Sequence, residues 1–438
     1  MQLLYKLPLA VTARNETSRA RAAVTALFAM DGFVFASWAV RIPAVKAAVG
    51  ASPATLGIAL LGVSAGAITT MALTGALCRR FGSARVIVAA AVWLSLALLL
   101  PALARSGLTL GLGLVVFGIG YGGLNVAMNS LAVDLVAVLR RPVMPSFHAA
   151  WSFGGLAGAA LGGLAAPALS PLAHFSLVCV LGLAVTAACG RVVLATPLPA
   201  AHTGAGEQAP EAAGPGGAGI VREETKEELP NEGASHPAAP ARPSGVWRTV
   251  ALLGVIALCS TYGEGAVSDW GALHLREDLG AASGLAAAGY AAFALAEAGG
   301  RLAGSALLAR LGQTRVLVYG AVATFAGMIA AALSPVLPLA LVGFALAGLG
   351  VANAFPTAMA RVGILAGPHG VATASTLGYA GFLLGPPTIG FLAGAVSLRV
   401  ALTTVSLLAL VAIALARAAS RGDQAGQAGQ ADQADQAG

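Results

Sequence analysis

Apolar residues in this chain gather into long runs of roughly 20, the length that lets an α-helix at 1.5 Å rise per residue cross the hydrocarbon core of a bilayer. The pattern predicts six spans in the first half, near residues 22–42, 53–77, 84–104, 108–130, 146–168 and 172–195. Six more follow near 247–271, 283–308, 315–333, 336–360, 370–394 and 398–417. The expected fold is therefore all-α and polytopic: 12 transmembrane helices in two six-helix bundles, 22–195 and 247–417. Residues 1–21 precede the first span. Between the bundles, 196–246 is rich in Ala, Gly and Pro and carries Glu223, Glu224, Glu227, Glu228 and Glu232, a composition that cannot bury a core and reads as a mobile linker. From 418 to 438 the chain repeats Gln-Ala-Gly and Asp-Gln-Ala, a low-complexity tail expected to lack fixed structure.

Composition narrows the reading. Charged residues make up 10% of the 438 and hydrophobic ones 58%, with a mean hydropathy of +0.83; a soluble domain carries roughly 25% charged residues. The net charge of +7 raises the question of nucleic acid, but the Lys and Arg residues are scattered between apolar runs without forming a basic stripe. They are read instead as topology signals. Arg79, Arg80, Arg85, Arg140, Arg141, Arg310 and Arg315 fall on the same side as both termini; Arg41, Lys46, Arg105, Arg276 and Arg399 fall on the other, and Arg301 lies within a span. By the positive-inside bias, both termini and the linker are expected in the cytoplasm, in a multi-pass protein of the plasma (inner) membrane. The four cysteines show no CxxC spacing, so neither a zinc site nor a disulfide framework is expected. No P-loop, HExxH or GxSxG string is present, which argues against an ATP-driven pump and an embedded enzyme, and no cofactor is expected.

The two halves repeat one another. Arg80-Phe-Gly82-Ser-Ala-Arg85-Val matches Arg310-Leu-Gly312-Gln-Thr-Arg315-Val; Leu114-Val-Val-Phe117 matches Leu341-Val-Gly-Phe344; Gly154 and Gly158 match Gly381 and Gly385, all at nearly constant separation. Such internal symmetry is characteristic of alternating-access transporters with a site between the halves. Gly75-Ala-Leu-Cys-Arg79-Arg80-Phe81-Gly82 resembles the loop motif of the major facilitator superfamily, G-x-L-x-D-R-x-G-R, with Arg79 (and Ala309 in the second copy) where the family carries Asp. The stretches from Asp31-Gly32 to Ser37-Trp38-Ala-Val-Arg41-Ile-Pro43, Asn129 to Asp134, Ser146-Phe147-His148 to Trp151-Ser152, and Glu264 to Trp270 resemble the YbjJ-type subgroup, which lies near the fucose-permease-like symporters. The resemblance implies a secondary transporter acting as a monomer, with Gly75, Arg79, Arg80, Gly82, Arg85, Arg310, Gly312 and Arg315 in loops where the cytoplasmic side closes.

Ionisable groups at membrane depth are costly and mark function by default. Asp31, near the middle of the first span, is a candidate proton carrier or substrate acceptor. Glu264, with Thr261 and Ser268 on its helix face, is a candidate proton-binding carboxyl; Asp269 and Trp270 beside it are candidates for an outer vestibule where an aromatic face stacks on a sugar ring, the alternative for Trp270 being an interfacial anchor. Glu297 and Arg301, four residues apart, are expected to pair within one helix. Tyr121, Asn125 and Asn129 form a polar stripe suited to a hydroxyl-bearing solute or to interhelical contact, and Asn353 to contact alone. His148, near Trp151, is a candidate proton relay; His174, His274 and His369 receive no role. Gly154, Gly158, Gly162 and Gly163 resemble the family's antiporter glycine motif without its Pro, and close helix packing explains them equally. The expected partners are thus a small polar, sugar-like solute, protons and membrane lipid, with no metal and no nucleic acid. Proton symport is the leading reading; an efflux antiporter and a non-transporting solute sensor are the alternatives.

Overall fold

The computed structural model describes residues 6–139, 143–196 and 244–437; most of the predicted linker and the basic pair Arg140 and Arg141 lie outside them. The first half comprises α1 (Lys6–Ala39), α2 (Ile42–Val49), α3 (Pro53–Phe81), α4 (Ser83–Ala97), α5 (Leu100–Leu103), α6 (Gly107–Leu139), α7 (Met144–Ala165) and α8 (Pro171–Ala195). The second comprises α9 (Ser244–Ala266), a π-helical turn (Val267–Gly271), α10 (Ala272–Glu277), α11 (Ser283–Leu302), α12 (Gly304–Leu311), α13 (Gln313–Leu333), α14 (Leu337–Val351), α15 (Ala354–Ala395) and α16 (Leu398–Ala437). Short α2 and α5 lie between spans, at the end of the molecule away from the termini, hereafter the far end.

Among the described residues, ten segments are long and apolar enough to cross a membrane unaided. The predicted spans at 146–168 and 283–308 are not among them. Both are real helices, α7 and α11–α12, but α7 carries Ser146, His148 and Trp151 among small residues, and α11 carries Glu297 and Arg301. They touch each other across the two halves, so their polar groups face protein rather than lipid. Large apolar side chains such as Leu108, Leu164, Leu302 and Ile364 point outward instead, where lipid would cover them.

The internal repeat is visible in the packing. In the first half α1 lies against α7 and α8, α3 against α6, and α4 against α6 and α8; in the second, α9 lies against α15 and α16, α11 against α14, and α13 against α14 and α16. Glycines explain the closest of these approaches: a Cβ at Gly32 or Gly154 would collide with the carbonyl oxygens of Trp151 and Ala29, and one at Gly381 with Leu258 and Thr261. The glycine motif of α7 is therefore a backbone-to-backbone seam. The repeated loop has an equally local cause. Gly82 (φ 85°) and Gly312 (φ 76°) both occupy left-handed backbone that side chains rarely adopt, and turn one helix into the next.

Three departures from the expected pattern have physical reasons. First, α15 is helical throughout Ala354–Ala395, yet Ser375 Oγ lies 3.3 Å from Met359 Sδ and the Phe355 and Tyr379 rings are 6.4 Å apart. A straight helix would separate residues 359 and 375 by about 24 Å, so the chain reverses between them and supplies two antiparallel spans. Second, the span at 247–271 is interrupted by the π-turn, which holds Ser268, Asp269 and Trp270. Third, α16 continues to Ala437, where an unstructured tail from 418 was expected; the tail's repeated Ala and Gln are good helix formers.

The halves meet at the far end. There α3 packs on α15, with Gly57 against Pro386 and Gly390 and the Ser64 hydroxyl donating to the Phe382 carbonyl at 3.3 Å; α7 packs on α11 through Gly163 and Gly284. Lys46 on α2 donates to Glu277 on α10 at 2.6 Å across the same seam. Toward the termini, by contrast, the α1 face formed by Ser18, Arg21, Ala22, Thr25, Ala26 and Ala29 lines an open cleft of about 440 Å³.

Candidate functional site

On the first half, Asp31 is fully buried on α1. Its Oδ2 accepts the Trp151 indole N–H of α7 at 2.9 Å, a contact the Gly32–Gly154 seam makes reachable by bringing the two backbones together. Its Oδ1 has no hydrogen-bond partner, and the residue borders a cavity of about 10 Å³ lined by Ser95, Leu124 and Thr186, the volume a single water needs. No basic side chain pairs with this carboxyl among the described residues. His148, one turn before Trp151, stands edge-on to Phe28 at 5.5 Å, which itself stacks on Phe147.

The polar stripe of α6 has two parts. Asn129 is buried and donates to the Asn125 carbonyl at 2.9 Å, so it serves its own helix, though its Oδ1 is left without a partner. Asn125 and Tyr121 are half-buried. Tyr121 stacks on Phe35 at 5.3 Å and is within electrostatic range of Asp31, Glu264, Tyr290 and Tyr379, which places its phenol where the halves face one another.

The second half presents a different arrangement. Arg301 lies between two carboxylates: Glu297 on its own helix at 2.5 Å and Glu264 on α9 at 3.6 Å. The expected intrahelical pair is thus part of a triad. The two carboxyls are close enough to share a hydrogen bond, and Arg301 Nε has no partner. Three side chains with one positive and two negative formal charges leave one carboxylate uncompensated unless a proton or another cation joins them. Glu264, at the longer distance, is the more weakly held. All three side chains are largely buried but retain 10–17% exposure.

Neighbouring residues fall into place around the triad. Thr261 donates to the Gly378 carbonyl at 2.5 Å and fastens α9 to α15 instead of facing Glu264. Ser268 donates to the Gly265 carbonyl and to Asp269 within the π-turn. Trp270 is fully buried in the main apolar cluster with its indole N–H unpartnered, so in this conformation it serves neither as a vestibule aromatic nor as an interfacial anchor. Asn353 donates to the Gly300 carbonyl at 2.9 Å, the interhelical contact expected of it. The arginines of the repeated loops are exposed; Arg85 donates to the Phe81 carbonyl of its own hairpin at 3.3 Å and Arg80 lies 5.2 Å from the Phe81 ring. Gly75 sits half-buried on α3. Among the described residues, these loops do not bridge the halves.

Sequence reasoning missed two members of the site, Tyr290 and Tyr379, both in electrostatic range of Glu264. Tyr290 lies two turns before Glu297 on the same face of α11, a spacing that would have found it. Tyr379 had no such local signal, because the reversal in α15 brings it in. No group of three or more His, Cys, Asp or Glu suited to a metal occurs among the described residues.

Known proteins share this architecture. Residues 22–378 and 253–436 match the family model described as Major Facilitator Superfamily. The chain is 33% identical over 387 residues to an uncharacterised MFS-type transporter of Yersinia pestis, covering 87% of this chain and 91% of that one. Among solved structures it resembles a bacterial homologue of the human lysosomal transporter Spinster in an inward-facing, occupied conformation (TM-score 0.71, 15% identity, 92% and 96% of the two chains). It also resembles the nucleoside transporter NupG (0.66, 13%, 92% and 98%) and a variant of the E. coli fucose:proton symporter FucP (0.56, 15%, 91% and 98%). At these identities the structural likeness concerns the fold alone.

Proposed function

The chain belongs to the major facilitator superfamily, and from that premise we propose that it is a proton-coupled symporter of a small polar, hydroxyl-bearing solute. It would work as a monomer by alternating access in the plasma membrane, with both termini cytoplasmic. In that orientation the far-end seam is the closed outer gate and the cleft beside α1 opens to the cytoplasm. The observation that carries the reading is the Glu264–Arg301–Glu297 triad, buried between α9 and α11 with Tyr121 of the first half in electrostatic range of Glu264. A proton on Glu264 balances the triad's charge; its departure leaves a carboxylate that draws Arg301 away from a bound solute or towards Glu264. Rocking of one bundle on the other then exposes that exchange to each side in turn. Asn125, Tyr121, Tyr290 and Tyr379 supply donors and acceptors for solute hydroxyls, and Phe35 and Trp151 supply apolar faces. Nucleoside and fucose transport by two proteins of this fold is in keeping with a hydroxylated cargo.

Glu264→Gln tests the assignment. In proteoliposomes, accumulation driven by a pH gradient should disappear while solute exchange persists. Undiminished accumulation with unchanged proton flux would sink it. One feature favours the other transport reading: carboxyls outnumber basic groups in the triad, as a site exchanging a cationic solute against protons would require. Thermal stabilisation of the purified protein by lipophilic cations, and by no sugar or nucleoside, would select that antiporter; a ligand at 100 times its Kd stabilises by about 2.7 kcal/mol.

A further inference from the structure

Outside the central cavity, the far end of the second half holds a buried imidazole in a demanding position. His274 on α10 is fully buried, with Nε2 3.0 Å from the Ala331 carbonyl oxygen of α13 and Nδ1 2.7 Å from Asp278 Oδ2. A carbonyl can only accept, so Nε2 must carry a proton. Nδ1 faces a carboxylate oxygen at hydrogen-bond distance, so a second proton must lie between them, whichever atom owns it; without it two lone pairs would oppose each other. The ring thus cannot serve both partners in its neutral form beside an ionised Asp278.

We propose that His274 and Asp278 form a proton-binding site that is filled when the far end is closed and that ties closure to proton uptake. Asp278 caps α10, its amide bonding back to the His274 carbonyl at 2.9 Å, and its own carbonyl accepts from Arg399 of α16 at 2.5 Å. The adjacent Glu277 holds Lys46 of the opposite half. Losing the shared proton costs one of the two imidazole bonds and frees the last turn of α10, the turn that aims Glu277 across the seam. The groups surrounding the pair define what else titrates or carries charge there. Arg276 and Glu277 share its helix, Arg399 comes from α16 and Lys46 from α2. The π-turn brings Asp269, held by Ser268, and α11 meets α10 through Gly289 beside Tyr290, with Glu297 about two turns and Arg301 about three turns further along α11. From α13 and α14 come the Ala331 carbonyl and the Phe344 ring, neither of which titrates. Since the closed end binds a proton that the open end need not, raising the pH favours opening.

The consequence for transport rests on the alternating-access reading, but the test does not. Hydrogen exchange of segments 42–49 and 272–278 in the full-length protein in nanodiscs, corrected for intrinsic exchange, reports far-end opening with no solute present. The opening constant should rise with pH by up to about tenfold per unit over the interval in which the closed pair holds the proton and the open end has released it. In His274→Gln, and separately in Asp278→Asn should the first fail to fold, the slope against pH should fall by about one proton. Lys46→Ala should raise opening at every pH and leave the slope intact. A flat profile in the wild-type protein, or an unchanged slope in both site variants, overturns the proposal while leaving the transporter reading untouched.

Discussion

The two halves carry a buried carboxyl on corresponding helices, α1 and α9, but surround it with different charge logic. In the first, Asp31 is a solitary carboxyl: an indole N–H on one oxygen, a water-sized cavity nearby, no cation among the described residues. In the second, Glu264 and Glu297 compete for one guanidinium. A carboxyl without a cation can exchange only protons at modest cost, whereas a carboxylate sharing a cation can exchange partners. Under the proposed function, this difference gives charge switching to the second half and solute contact to the first.

The comparison breaks most visibly at Arg301. Arg301→Ala strands two buried carboxyls, and removing one partner of a buried ion network costs about 3–5 kcal/mol; a fall in thermal stability of that order, with transport lost, is expected, and a variant as stable as the parent would show that the triad holds no charge together. Arg301→Lys keeps the charge but not the fork, and should recover stability more than transport. Trp151→Phe comes next. It removes the donor to Asp31 and should cost about 1–3 kcal/mol, the penalty for leaving a buried acceptor unpaired, while exchange kinetics at Glu264 stay unchanged; an equal effect on both would merge the two sites into one. Lys46→Ala is the smallest. Its partner Glu277 is 45% exposed, so the pair is worth about 0.2–1 kcal/mol, seen as no more than roughly a fivefold shift toward far-end opening in cysteine accessibility.

How much of this could be read in the sequence follows from which forces act locally. The spans were visible because lipid demands about 20 apolar residues wherever the chain crosses, and the loop glycines because the same backbone turn recurs at Gly82 and Gly312. The Glu297–Arg301 contact was visible because one helical turn brings it about. Glu264 as the third member was not, since α9 and α11 meet only through tertiary packing. The same holds for the Asp31–Trp151 bond, made possible by a glycine seam between α1 and α7. Trp270 misled for a related reason: its place near a span end suggested an interface, but the π-turn rotates the helix there and directs the indole into the core. His274 receives no role from the sequence because it falls near a predicted span end; Asp278 is within reach of helical spacing, but the Ala331 carbonyl of α13 is not.

Under the proposed function, Glu264 is the exchangeable carboxyl of the pathway. Its most direct test compares pH-driven accumulation and counterflow exchange side by side in Glu264→Gln proteoliposomes, with a solute chosen by thermal stabilisation of the purified protein. Exchange close to the parent with no accumulation is expected; accumulation at the parent's level would remove Glu264 from that role.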